Sequence, residues 1–115
     1  MANKVIHVEV TGKDGRGLQK FYGDLFGWNI DTNNPGGYGM ASAEEVGITT
    51  GIGDAPQGMT GGVVFYVAVP DIDMALARAT DLGGQVVAPK FSPAPDTFLG
   101  LFVDPEGHVI GLSQA

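Results

Sequence analysis

The chain has no cysteine, one tryptophan, two histidines, and 6 basic against 13 acidic side chains, a net charge of −7. Without cysteine, a disulfide framework, cysteine-ligated zinc, an iron–sulfur cluster and thiol catalysis are all excluded. The cations Lys4, Lys13, Arg16, Lys20, Arg78 and Lys90 are scattered and form no basic stripe, so no nucleic-acid partner is expected. No window approaches the roughly 18 apolar residues of a spanning helix, and no membrane partner is expected. The opening MANKVIHVEV has neither an apolar core nor a small-residue cleavage site, which makes the cytoplasm the expected compartment. What is present, 115 residues with 43% hydrophobic and 19 Gly, suits one compact domain rich in tight turns, residues 1–115.

Two periodicities organise the chain. Val5 to Val10 alternates, with Ile6, Val8 and Val10 on one face and Val5, His7 and Glu9 on the other, as a half-buried strand does. Asp14 is placed to cap a helix in which Leu18, Phe21, Tyr22, Leu25 and Phe26 form the sheet-facing stripe, and Gly27 ends it. Short strands are expected at 28–31, 38–42 and 47–52, with NNPGG and AEE as turns. Residues 53–62 show no periodicity and read as a connector. The order then begins again. Val63 to Val69 reads as a strand, Asp71 as a cap, Ile72, Ala75, Leu76, Ala79 and Leu82 as a helix stripe, and Gly83-Gly84 as its end. Three strands follow, at 85–88, 97–103 and 108–113, the last two joined by the turn DPEG. The chain therefore reads as two βαβββ modules, residues 4–53 and 63–115, with connector 54–62. Laying His7–Val10 over Tyr66–Val69 aligns the helix ends if three extra residues are allowed in the first loop.

The histidine of VIHVEV, the helix ending FYGDLFGW, the paired glycines after the second helix and the closing DPEGHVIGL together resemble the vicinal-oxygen-chelate superfamily. That group includes glyoxalase I, bleomycin-resistance proteins and extradiol dioxygenases. The resemblance spans the chain and implies an α+β fold in which the two modules form a curved eight-stranded mixed sheet shaped as a cup. In metal-dependent relatives, side chains from the first and last strands of each module hold a divalent metal, a Lewis acid for two substrate oxygens. Carried over, the ligand positions fall on His7, near Thr50 (among Thr49, Thr50 and Gly51), on Tyr66, and on Gly111, seven residues after Asp104. Only His7 is a ligand type, so the four-ligand centre is expected to be degenerate and no cofactor is expected; any divalent metal would rest on His7.

His7 and Glu9 share a strand face, so an imidazole and a carboxylate lie about 7 Å apart along it. They suit a general base with its orienting partner, while the plain alternative leaves Glu9 in water at the rim. With Tyr66 they are the candidate catalytic residues, and Thr50, Tyr38, Phe102 and Ser113 the candidate ligand-binding ones. Trp28 and Phe26 are read as core, Asp104 and Glu106 as turn formers, His108 as pointing away from Gly111, and FSPAPDT as a rim, lid or passive loop. Two functions stand side by side. One is a cup that holds a small organic molecule, neutral or cationic given the acidic charge. The other is a lyase or isomerase using His7 for proton transfer. Exposed sheet edges make a homodimer the expected state, with modules paired within one chain or exchanged between two.

Overall fold

The computed structural model describes residues 2–114; Met1 and Ala115, the ends of the 1–115 span, lie outside them. The chain divides into two compact units, His7–Val63 and a second that joins the residues before His7 to those after Val63. The fold is α+β, with both parallel and antiparallel ladders within each unit.

The first unit contains most of β1 (Val5–Gly12), then α1 (Gly15–Phe26), β2 (Gly39–Ala41), α2 (Ala43–Val46) and β3 (Thr49–Asp54). Asp14 caps α1 by accepting from the Gly17 N–H, and Gly27 closes it at φ 70°, as the sequence predicts. β3 pairs with β1 in parallel and with β2 antiparallel. Two features differ from expectation. The strand expected at 28–31 shrinks to one bridge, Asp31 with Met40, because the Asn29 N–H is taken by the Glu45 carboxylate and the Asp31 side chain turns back to accept from Asn33. The AEE turn is a single helical turn, capped by Ser42, whose hydroxyl accepts from the Glu45 N–H in an S-x-x-E pattern.

The second unit holds β4 (Gly62–Ala68, entering at Val64), α3 (Ile72–Asp81), β5 (Gln85–Ala94), β6 (Thr97–Val103) and β7 (Val109–Gln114), a full βαβββ order. Asp71 caps α3 through the Met74 N–H. α3 lays Ile72 and Leu76 on Val69 and Leu112, with Val67, Phe98 and Phe102 packed around them. FSPAPDT is neither lid nor loop: β5 runs through Phe91–Ala94 and a tight turn with Asp96 at φ 62° returns the chain into β6. Prolines are tolerated there because β5 pairs only with β6 and is an edge. Among the described residues there are therefore seven strands, one fewer than expected.

Each unit is closed in the same way. The side chain at the end of its last strand accepts from the first N–H of its first helix: Asp54 from Gly15 at 2.7 Å, and Gln114 from Ile72 at 2.7 Å. The space is tight, since a Cβ on Gly15 would lie 2.5 Å from the Asp54 nitrogen. These bonds give the correspondence between the repeats directly. Glu9 and Tyr66 each stand five residues before the caps Asp14 and Asp71, and each is in register with a glycine, Gly51 or Gly111, three residues before the closing side chain. Glu9 thus corresponds to Tyr66 and His7 to Val64. The first loop has no extra residues; the difference lies in the helices, 12 residues in α1 and 10 in α3.

Candidate functional site

Register assigns every candidate to a face. In the first unit His7 is opposite Thr49, Glu9 opposite Gly51 and Thr11 opposite Gly53, so these residues share one side of the ladder. Val8 with Thr50 and Val10 with Ile52 point to the other side, where α1 lies and its Gln19 amide donates to the Ile52 carbonyl. Thr50 is therefore on the face away from His7, buried, with its hydroxyl donating to the Ile48 carbonyl at 2.8 Å.

On the His7 face, Tyr38 fills the ground above the two glycines. A Cβ on Gly51 would fall 2.5 Å from Tyr38 Cε2 and closer still to Cζ and Oη; one on Gly53 would fall 2.8 Å from Cδ1. The ring lies where side chains at 51 and 53 would otherwise stand. Its hydroxyl donates to Glu9 Oε2 at 2.9 Å and lies 3.3 Å from His7 Nε2. Three sequence candidates, His7, Glu9 and Tyr38, are thereby joined in one hydrogen-bonded triplet. Burial lowers the His7 pKa from 6.5, and the Glu9 charge opposes this with a smaller effect. His7 is consequently neutral near pH 7. What the sequence reading missed is Asn34 in the NNPGG turn, whose side chain grips the Tyr38 backbone at both ends: its Nδ2 donates to the Tyr38 carbonyl at 2.7 Å and its Oδ1 accepts from the Tyr38 N–H at 3.0 Å. An Asn before Pro-Gly signals a turn, and only the fold shows what that turn holds.

In the second unit Tyr66, Gly111, Ser113 and Leu101 share one face, while Phe102 and Leu112 face α3. Tyr66 is buried, and its ring covers Gly111 so closely that a Cβ there would lie 2.7 Å from Cγ and closer to Cδ2 and Cε2. Ser113 lies on the Tyr66 face. Phe102 does not; it lines an apolar cavity of about 400 Å³ with Val67, Val69 and Leu112. His108 leaves the turn exposed and meets the Asp104 carboxylate through Nδ1 at 3.0 Å. Trp28 stacks on Tyr22 and meets Phe26 at a tilt, yet Phe21, Leu25 and Phe26 of the expected stripe are more than half exposed.

A cavity of about 750 Å³ in the first unit does not include the triplet. It lies between α1 and the 28–37 segment, where Lys20 is paired with Asp24 and Asp54 already serves the Gly15 N–H. Volume alone points there, but the convergent titratable groups are on the opposite side of β3, and they are the better guide to chemistry.

A metal centre of the implied kind does not fit these donors. The positions in register with Glu9 and Tyr66 are glycines, tyrosine rings occupy their side-chain space, and the second-unit counterpart of His7 is Val64, which takes over the ligand position expected at Tyr66. Among the described residues no group of three or more His, Cys, Asp or Glu is gathered closely enough to hold an ion.

Residues 7–113 match the family model described as a glyoxalase-like domain. The chain belongs to this glyoxalase-like family. It is 34% identical over 94% of its length to a Mycobacterium bovis protein named "Putative glyoxylase CFP32", and an equally similar protein of that name occurs in Mycobacterium tuberculosis. The chain spans 44% of the length of these curated relatives. Its fold matches a glyoxalase/bleomycin resistance protein/dioxygenase superfamily member from Vibrio splendidus, with TM-score 0.65, 20% identity, and 99% and 100% of the two chains covered. It also matches methylmalonyl-CoA epimerase from Mycobacterium tuberculosis, with TM-score 0.64, 15% identity, and 96% and 86% covered. At these identities the structural matches speak for the fold.

Proposed function

We propose that this glyoxalase-like domain binds a small organic molecule on the His7 face of its first unit through hydrogen bonds and without a four-ligand metal centre. The observation that carries this reading is the Tyr38 hydroxyl standing between His7 and Glu9 while its ring covers Gly51 and Gly53. The net charge of −7 favours neutral or cationic ligands. A thermal-shift screen with neutral, cationic and anionic small molecules tests it on wild type, His7→Ala and Tyr38→Phe. Stabilisation by a neutral or cationic compound, lost in either variant, is the expected result. Hits indifferent to both variants, or a stoichiometric metal lost on His7→Ala, would sink it.

A second reading is favoured by the lowered His7 pKa: an imidazole neutral near pH 7 can accept a proton, and the Tyr38–Glu9 pair can stabilise the cation that results. This would be a lyase or isomerase activity driven by proton abstraction. Solvent-deuterium incorporation into a ligand that binds wild type distinguishes it from binding alone, which exchanges no ligand hydrogen.

A further inference from the structure

The two units share one pattern, yet their helices meet the sheet with side chains of different size. Four and eight residues after its cap, Asp14, α1 carries Leu18 and Tyr22; four and eight residues after Asp71, α3 carries Ala75 and Ala79. In α1 the leucine reaches the sheet, with its Cδ1 3.0 Å from where a Cβ on Gly12 would stand. In α3 the matching place is open. An apolar cavity of about 400 Å³ lies there between α3 and the sheet, lined by both alanines and by Val67, Phe102 and Leu112. Its walls are incompletely covered, since Val67, Ala75, Ala79 and Phe102 are only partly buried and Leu82, which also lines it, is 63% exposed. Ile72 and Leu76 of the same helix are closed in the core, so the opening belongs to one side of α3 and not to loose packing of the unit. A dry apolar cavity of about 150 Å³ holds benzene, so this one has room for a ring or a chain of roughly eight carbons.

Two charged side chains line the same cavity, Arg78 and Asp104. Asp104 is committed, because its carboxylate accepts from the Glu106 and His108 N–H groups and meets the His108 ring. The Arg78 guanidinium has no hydrogen bond or ion pair among the described residues, and the last carbonyls of α3 are served by the N–H groups of Leu82, Gly83 and Gly84. Apolar walls with one uncommitted guanidinium suit a carboxylate on an apolar body. We propose that the cavity beneath α3 is a second ligand site, which takes a small carboxylate whose apolar body lies over Ala75 and Ala79 and whose charge meets Arg78. The site lies within the second unit and draws nothing from the His7 face.

Titration calorimetry of the full chain with octanoate, octanol and octylammonium, each below its micellar concentration, tests this. Octanoate is expected to bind, octanol to bind about fivefold more weakly, and octylammonium more weakly still. Arg78→Gln, a change at an exposed position that keeps the fold, should bring octanoate down to the level of octanol. Ala75→Leu gives α3 the residue that α1 has, and should abolish octanoate binding while the ligand-free melting temperature stays at or above that of wild type. Ala79→Leu is the second filling variant if the first does not fold. His7→Ala should bind octanoate as wild type does, which separates a carboxylate held here from any compound held on the His7 face. The proposal is overturned if octanoate does not bind, if octanol or octylammonium binds as strongly, or if Arg78→Gln leaves octanoate affinity unchanged. A folded filling variant that binds octanoate like wild type, or loss of octanoate binding in His7→Ala, overturns it equally.

Discussion

Gly51→Ala is the sharpest perturbation of the first unit, because one methyl group would enter space held by Tyr38. The added carbon would stand 2.5 Å from Cε2 and nearer to Cζ and Oη, so the ring must leave or β3 must shift. If the ring leaves, the bond to the Glu9 carboxylate and the contact with His7 are lost, together about 2–4 kcal/mol. A shift of β3 instead is an overpacking cost of about 1–3 kcal/mol. For a chain of this size a loss of about 2–4 kcal/mol lowers the melting temperature by roughly 8–16 °C. The same substitution in a Tyr38→Ala background meets no ring. There it should be neutral or stabilising by about 0.5–1 kcal/mol, since Gly within a strand is weaker than Ala by that amount. Urea denaturation of wild type, both single variants and the double variant reads the coupling between the two positions. If Gly51→Ala destabilises equally in both backgrounds, to within about 0.5 kcal/mol, the packing of Tyr38 on β3 is wrong and the triplet goes with it.

Other outcomes follow from the same geometry. Gln114→Ala should destabilise by about 1–3 kcal/mol in urea melts, because the N–H of the fully buried Ile72 loses its acceptor; a change within about 0.5 kcal/mol would show the closing bond to be dispensable. Gly15→Ala should destabilise by about 1–3 kcal/mol because its methyl meets backbone atoms of β3 that have no rotamer to yield. The lowered His7 pKa means that the unfolded chain binds the imidazole proton more readily than the folded one. The stabilisation from a neutral His7 is therefore full above about pH 6.5 and is lost as pH falls from there through the folded value. His7→Gln should flatten the stability profile in that window, and an unchanged profile would place His7 in a solvated setting.

α1 and α3, their aspartate caps and the Gly27 terminus were legible because each is encoded within a few neighbouring residues. The pairing of His7 with Glu9 was legible for the same reason, as a two-residue spacing on a strand. Tyr38 completes the triplet from 31 residues beyond His7, across a turn with no periodicity, and nothing local announces that contact. The offset between the repeats illustrates another limit. Sliding β1 by two residues against β4 preserves which face every side chain takes, so alternation is blind to it. Counting back from Asp14 and Asp71 would have revealed it. Pro93 and Pro95 suggested a loop, whereas the edge strand accommodates Pro93, which lacks an N–H, and Pro95 falls in the turn after it. The Thr50 assignment turned on strand parity, which a choice among three adjacent residues cannot settle before the register is known.

The bonds from Gly15 to Asp54 and from Ile72 to Gln114 join residues 39 and 42 positions apart, and each ties the beginning of a unit's helix to the end of its last strand. α1 and α3 can each form from local sequence, but their first turns find an acceptor only after every later strand of the unit has been added. These two amide hydrogens are thus natural clocks for the protein. In exchange with deuterated solvent they should be released when a whole unit opens, while neighbours in the same first turns leave with local fraying. One amide per unit then reports whether the two repeats open together or one before the other.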